Sequence, residues 1–192
     1  MKTIAIIVFD DFTDIDAFLP WDLFNRVRLM DKEWQVKFLG TKPVHHSICG
    51  IELKTHGIIE EARDADIVFF SSGSGTRKLY KDAAYLERFS LDPSRQVICS
   101  MCSGALVLAG LHLLDGLTAT TYPTAMSELR AMGVEVLDDQ YLVTHGNIAT
   151  AAGCLAAVDL VSWCVTKAIG SDTAEKVVAA VQRVGQGQVC AY

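Results

Sequence analysis

The 192-residue chain has no apolar run as long as the roughly 18 residues that a membrane span needs, so an integral membrane protein is not expected. Positive charge is scarce as well. Lys and Arg number 17 against 23 Asp and Glu, a formal net charge of −6, which argues against a nucleic-acid partner or an anionic membrane surface. No linker, internal repeat or low-complexity tract interrupts the chain. A single domain over residues 1–192 is expected, with residues 185–192 as a flexible tail. The apolar opening, residues 1–9, resembles a secretory leader but lacks a small-residue cleavage site. Asp10, Asp11, Asp14 and Asp16 follow at once, so the segment reads as a buried first strand. Of the six cysteines, Cys99, Cys154 and Cys164 lie in apolar segments and read as small core residues. A reduced, cytoplasmic protein follows from that reading.

What is present is alternation. Residues 3–9, 34–39, 67–71 and 97–100 read as strands, and shorter strands fit 117–121, 134–137, 141–144 and 148–150. Helical spacing covers 16–30, 76–91, 123–132, 154–168 and 172–184, and residues 44–53 read as a hairpin turning at Cys49-Gly50. Strands alternating with helices predict an α/β fold. It is a three-layer α/β/α sandwich on a mostly parallel sheet, flavodoxin-like in plan.

Cys102 stands out through its surroundings. Residues 97–100 read as a short apolar strand, Ser103 and Gly104 follow the cysteine, and a helix begins there. A nucleophile on a tight strand-to-helix turn projects away from the sheet. The first helical turn stabilises an anion, which predicts a lowered thiol pKa and a reactive thiolate. Cys99 and Cys102 have the C-x-x-C spacing of a redox pair, but the turn aims the second thiol elsewhere, so a functional disulfide is not expected.

Three further loops belong at the carboxyl edge of the sheet: residues 9–20, 71–79 and 119–123. Asp16, at a helix start, reads either as a cap or as an acid, and Asp14 competes with it from the same loop. Gly73 and Gly75 read either as a flexible turn or as backbone placed to form an oxyanion hole. Gly75, Thr121 and Tyr122 are candidate substrate contacts, and the Ser103 backbone is a second candidate oxyanion donor. His45, His46 and His56 read as surface-loop residues rather than metal ligands, and no metal site is expected.

These motifs together resemble the DJ-1/PfpI superfamily, which has the class I glutamine-amidotransferase-like fold, and its isonitrile hydratase-like branch in particular. The family's Cys-Thr-Gly turn stands as Cys102-Ser103-Gly104, its Leu-Asp pair as Ile15-Asp16, and its Pro-Gly-Gly-Pro-Gly loop as Ser71-Ser72-Gly73-Ser74-Gly75. Its late Asp-Gly-x-x-x-Thr-Ala-x-Gly segment stands as residues 145–153. The resemblance covers residues 1 to about 180. It implies that Asp16 hydrogen-bonds Cys102 and acts as a proton donor, and that Ser103 positions substrate or water, where the residues alone read equally as a helix cap. The histidine that protease-like members place after the cysteine is replaced by Ser103, and the later His-x-Glu of the amidotransferases is absent.

The resemblance implies a cofactor-free hydration of an isonitrile, through a Cys102 thioimidate, to an N-substituted formamide. Glyoxalase- or deglycase-type chemistry on α-oxoaldehydes is the enzymatic alternative, and a redox sensor built on Cys102 oxidation is the non-catalytic one. A DNA-binding regulator would need a further basic domain that is not seen here. A small electrophilic substrate and a homodimer are the expected partners, the latter also suggested by a mean hydropathy of +0.27.

Overall fold

The structure is a computed structural model that describes residues 1–183. The strands are β1 (Lys2–Ile7), β2 (Trp34–Gly40), β3 (Val44–His46), β4 (Glu52–Lys54), β5 (Gly57–Ile58), β6 (Ile67–Phe70), β7 (Val97–Met101), β8 (Thr118–Ala119), β9 (Glu135–Val136), β10 (Leu142–His145) and β11 (Ile148–Ala151). The helices are α1 (Asp14–Met30), α2 (Thr76–Leu79), α3 (Ala83–Leu86), α4 (Gly104–Gly110), α5 (Met126–Ala131), α6 (Ala157–Ala168) and α7 (Ser171–Ala179). Short 3-10 segments cover Ile59–Asp64, Pro123–Ala125 and Cys154–Ala156.

The central sheet runs β10-β11-β7-β6-β1-β2-β5, and each neighbouring pair is parallel except β10 with β11. Successive side chains on a strand point to opposite faces. Ile4, Ile6, Ile67, Phe69, Cys99 and Ala149 therefore pack toward α1, α6 and α7. Ala5, Ile7, Val68, Phe70 and Ile148 pack toward α4, α5 and the segment Ile59–Asp64. Burying each large side chain contributes roughly 1.5–3 kcal/mol, and β6 does so on both faces. The expected three-layer sandwich with a mostly parallel sheet is what the chain forms.

Several expected elements shift. The single helical region expected over residues 76–91 divides into α2 and α3, because the Asp82 side chain accepts the Tyr85 amide at 3.1 Å and caps a new helix. Residues 123–125 and 154–156 are 3-10 turns ahead of α5 and α6 rather than first α-helical turns. The hairpin of β3 and β4 turns where expected, with Gly50 at φ +87°. Residues 185–192, expected as a tail, and Cys190 lie outside the described residues. Among the described residues, no helix is long and apolar enough to cross a membrane.

Candidate active site

The chain leaves β1 outward to β2 and β5, then returns to place β6 on the opposite side of β1. Loops leaving neighbouring strands part at such a reversal and open a crevice at their carboxyl ends. The segments after β1, β6 and β7 meet there.

Cys102 lies between β7 and α4 with φ +46°, the left-handed region that L-residues other than Asn and Asp seldom occupy. The conformation is held from both sides. The Cys102 amide donates to the Ala151 carbonyl of β11 at 2.7 Å, and the Thr121 hydroxyl donates to the Cys102 carbonyl at 2.8 Å. Gly104 is required next. A β-carbon there would stand 2.8 Å from the Ser71 carbonyl oxygen and 2.9 Å from that of Phe70.

Cys102 is only 4% exposed. Its sulfur shares a small space with Cys154 and Asp16; the two sulfurs and one Asp16 carboxylate oxygen all lie within 4.8 Å of one another. Asp16 is 1% exposed and comes from the first turn of α1. The Ser72 hydroxyl donates to its Oδ2 at 2.5 Å, whereas Oδ1 is buried with no hydrogen-bond partner among the described residues. Asp14 is oriented elsewhere, accepting the Ser47 hydroxyl at 2.6 Å. Of the two competing acids, the structure brings Asp16 to the cysteine.

The expectation of a lowered Cys102 pKa is overturned. Burial pushes the thiol well up, and the Asp16 charge beside it pushes further; a hydrogen bond from the Gly153 backbone offsets part of this. The helix that begins at Gly104 runs only to Gly110 and does not offset the burial. These forces favour the protonated thiol at Cys102.

Cys154 corrects a second expectation. It is not core: it is partly exposed, directly after Gly153 (φ +86°), and it stands beside Cys102. Burial and then Asp16 raise its pKa also. A cysteine immediately after a glycine at the carboxyl end of a strand was the signal that could have found it.

Ser103, Gly73 and Gly75 hold the loops together. The Ser103 hydroxyl donates to the Gly73 carbonyl at 3.2 Å and receives the Gly73 amide at 3.3 Å and the Thr76 hydroxyl at 3.0 Å. Saturated in this way, it is a clamp between the β6 and β7 loops and not a positioner of water. The Gly73 amide is occupied by the same bond, so Gly73 is corrected as an oxyanion donor. The Ser103 amide, by contrast, donates to no acceptor among the described residues. Gly75 is corrected as a substrate contact, because its α-carbon faces the Asp10 carbonyl so closely that a β-carbon would stand 2.2 Å from that oxygen. The Thr121 hydroxyl is likewise taken by the Cys102 carbonyl. Tyr122 lines a cleft of about 370 Å³ with Thr120, Gln140, Tyr141 and Gly153. A neighbouring opening of about 440 Å³ shares Tyr141 and Gly153 and reaches Cys154 and Leu155. A further cleft of about 520 Å³ against α6 and α7 touches none of these residues.

Cys99, Cys164, His45 and His56 serve the packing of the fold. Cys99, on β7, meets Cys164 of α6 at 3.3 Å between sulfurs, so the C-x-x-C cysteines have different partners. His45 is not in a surface loop. It is buried, accepts the Thr41 amide at 3.1 Å and faces Asp10 at 3.2 Å, and burial lowers its pKa against the Asp10 charge. His56 accepts the Phe38 amide at 3.0 Å and stacks on Trp21.

A family model described as DJ-1/PfpI matches residues 2–167. The chain belongs to the DJ-1/PfpI family. It is 27% identical over 175 residues to an isonitrile hydratase from Pseudomonas putida, covering 91% of this chain and 75% of that protein. A ThiJ/PfpI family protein from Pseudomonas syringae superposes with a TM-score of 0.80 at 24% identity, over 92% of this chain and 72% of that one. Schizosaccharomyces pombe DJ-1 superposes with a TM-score of 0.77 at 18% identity, over 95% and 100%. These two likenesses establish the fold.

Proposed function

We propose that this DJ-1/PfpI protein hydrates isonitriles, with Cys102 as nucleophile and Asp16 as the group that moves its proton. The observation that carries the reading is the buried Asp16 carboxylate beside the Cys102 sulfur, in a chain similar to a bacterial isonitrile hydratase. An isonitrile's terminal carbon accepts both a nucleophile and a proton. Asp16 takes the thiol proton as the sulfur attacks, and delivers it to the same carbon, which forms a thioimidate with a new S–C and a new C–H bond. Water then adds to that carbon, nitrogen gains a proton, and the C–S bond breaks to release the N-substituted formamide and regenerate the thiol. The raised thiol pKa suits this sequence, because the proton that the isonitrile carbon needs is already in the site. The Ser103 amide is the backbone donor free to face charge developing next to the sulfur. The cleft beside Tyr122 and Tyr141 is a place for a small organic substituent.

Steady-state turnover of an alkyl isonitrile, read as formamide by NMR, tests this against methylglyoxal. Formamide formation that disappears in Cys102→Ala supports the reading. Conversion of methylglyoxal alone would replace it with α-oxoaldehyde chemistry, and inertness toward both would overturn it in favour of a redox role.

We also propose a homodimer. Ile15, Ile48 and Ile51 are exposed on segments drawn together by the Ile48 amide bond to the Phe12 carbonyl and the Ser47–Asp14 bond. Sedimentation at about the mass of one chain at micromolar concentration would reject this.

A further inference from the structure

The crevice contains more than the proposed chemistry uses. Cys154 has no part in it, and Asp16 Oδ1 is a buried carboxylate oxygen with no hydrogen-bond partner among the described residues. An unsatisfied buried oxygen of this kind costs on the order of 1–3 kcal/mol, more when charged, so a native site that keeps one invites a partner. What surrounds it is two sulfurs. We infer that Asp16, Cys102 and Cys154 form a binding site for a thiophilic d10 cation, of the Zn2+ or Cd2+ class.

The donor set matches that class. Two thiolates and one carboxylate are the ligands that soft and borderline divalent ions select, and hard ions such as Mg2+ or Ca2+ seek oxygen alone. The size also matches. Zn–S bonds of about 2.3 Å in a tetrahedron separate two sulfurs by roughly 3.8 Å. The three atoms already lie within 4.8 Å of one another, so closing on an ion requires shifts of about an ångström or less. Cys154 follows Gly153 and precedes the 77%-exposed Leu155 at the cleft, which gives an ion a way in and leaves a fourth position for water. The Ser72 hydroxyl, donating to Oδ2, orients the carboxylate so that its other oxygen remains for the ion. Binding forms two sulfur–metal bonds and one oxygen–metal bond, and two thiol protons pass to solvent. Nothing is oxidised or reduced.

Cys99 and Cys164 are the internal control. Their sulfurs are closer, 3.3 Å apart, but both residues are fully buried and, among the described residues, no carboxylate joins them. The inference does not require Cys102 to be a catalytic nucleophile. It does require that metal and electrophile exclude each other, since both need the same sulfur.

The experiment is titration of the full, freshly reduced chain with Cd2+ alone, following the ultraviolet sulfur-to-metal charge-transfer band and the protons released into weak buffer. The expected result is a band saturating at about one equivalent, with about two protons released per ion. It should be lost in Cys102→Ala and in Cys154→Ala, and weakened by roughly 10–100-fold in Asp16→Asn. Cys49→Ser should leave it intact. Bound Cd2+ should also protect Cys102 from alkylation. No band in the reduced wild-type chain, or a band that survives Cys154→Ala, overturns the inference; Cys154→Ser repeats the test in a side chain of nearly the same shape. Isonitrile turnover is read separately in metal-free buffer. A chain that binds Cd2+ at these residues but forms no formamide sinks the catalytic proposal alone, and one that forms formamide without the band sinks the metal site alone.

Discussion

Two pairs of thiols join the β7 side of the sheet to the chain leading into and along α6, and they have opposite characters. Cys99 meets Cys164 within the helix-facing core, fully buried and without a charged neighbour among the ionisable groups clustered nearby. Three residues later along the same chain, Cys102 meets Cys154 beside a carboxylate, at the lip of a cleft. The residue types are identical. A cysteine inside the strand inherits the apolar face of the sheet, and a cysteine just past its end inherits the loops gathered by the neighbouring strands. Chemistry in this fold depends on where along β7 the sulfur falls.

The largest expected effect separates the pairs by turnover. Cys102→Ala should abolish formamide formation, and Asp16→Asn should lower it about 10²–10⁴-fold by removing the group that moves the proton. Cys99→Ala should leave kcat unchanged and cost roughly 1 kcal/mol in urea unfolding, for lost contacts and a small cavity. Loss of activity in Cys99→Ala with the fold intact would erase the distinction.

A sharper test uses the electrostatics of the crevice. The Asp16 charge raises the Cys102 thiol, after burial itself. Asp16→Asn removes that charge while keeping the shape, so the thiol pKa should fall and iodoacetamide should label Cys102 faster at neutral pH, even as turnover drops. Unchanged or slower labelling, read by peptide mapping, would mean that the carboxylate does not face the sulfur.

Stability against pH follows from the same shifts. Burial raises the Cys99 thiol above its ordinary value, with Cys164 adding to it, and burial followed by Asp16 does so for Cys102. The folded chain therefore keeps protons that the unfolded chain releases above a thiol pKa of about 8.5. Stability from this source is complete below that pH and is lost as pH rises, by up to about 1.4 kcal/mol per pH unit for each thiol. Urea midpoints should fall between about pH 8 and pH 10. Cys102→Ala should reduce that slope, and a slope identical to wild type would contradict the shift.

Asp14→Asn gives the smallest effect. It weakens the bond from Ser47, at about 0.5–1.5 kcal/mol, and should leave turnover untouched. An inactive Asp14→Asn beside an active Asp16→Asn would move the acid two residues toward the N-terminus.

Much of the fold was open to reading in the sequence because β-branched and apolar runs alternate with helical spacing, and that period survives whatever loops join them. The position of Cys102 was open for the same reason: its turn is marked locally by a strand before it and a small residue after it. The environment of that sulfur was not. Its raised pKa depends on Asp16, 86 positions earlier, and on burial, which no local pattern reports. Cys154 was read as core because its neighbours are apolar, although Gly153 turns it out of that core. Ser103, Gly75 and Thr121 have the residue types of substrate contacts, but distant backbone groups occupy them: the carbonyls of Gly73 and Cys102 take the two hydroxyls, and that of Asp10 closes off the glycine.

The bond from the Cys102 amide to the Ala151 carbonyl has a consequence for motion. It is the last rung of the ladder between β7 and β11, and its donor lies one residue past the last paired strand residue, in the turn itself. The turn therefore cannot breathe independently of the sheet. Its amide proton is protected by the same cooperative unit that holds the central strands, while neighbouring loops open at lower cost. In deuterated water Cys102 should retain its amide proton about as long as Ile98 and Ala149, and far longer than Ser103, one peptide bond away.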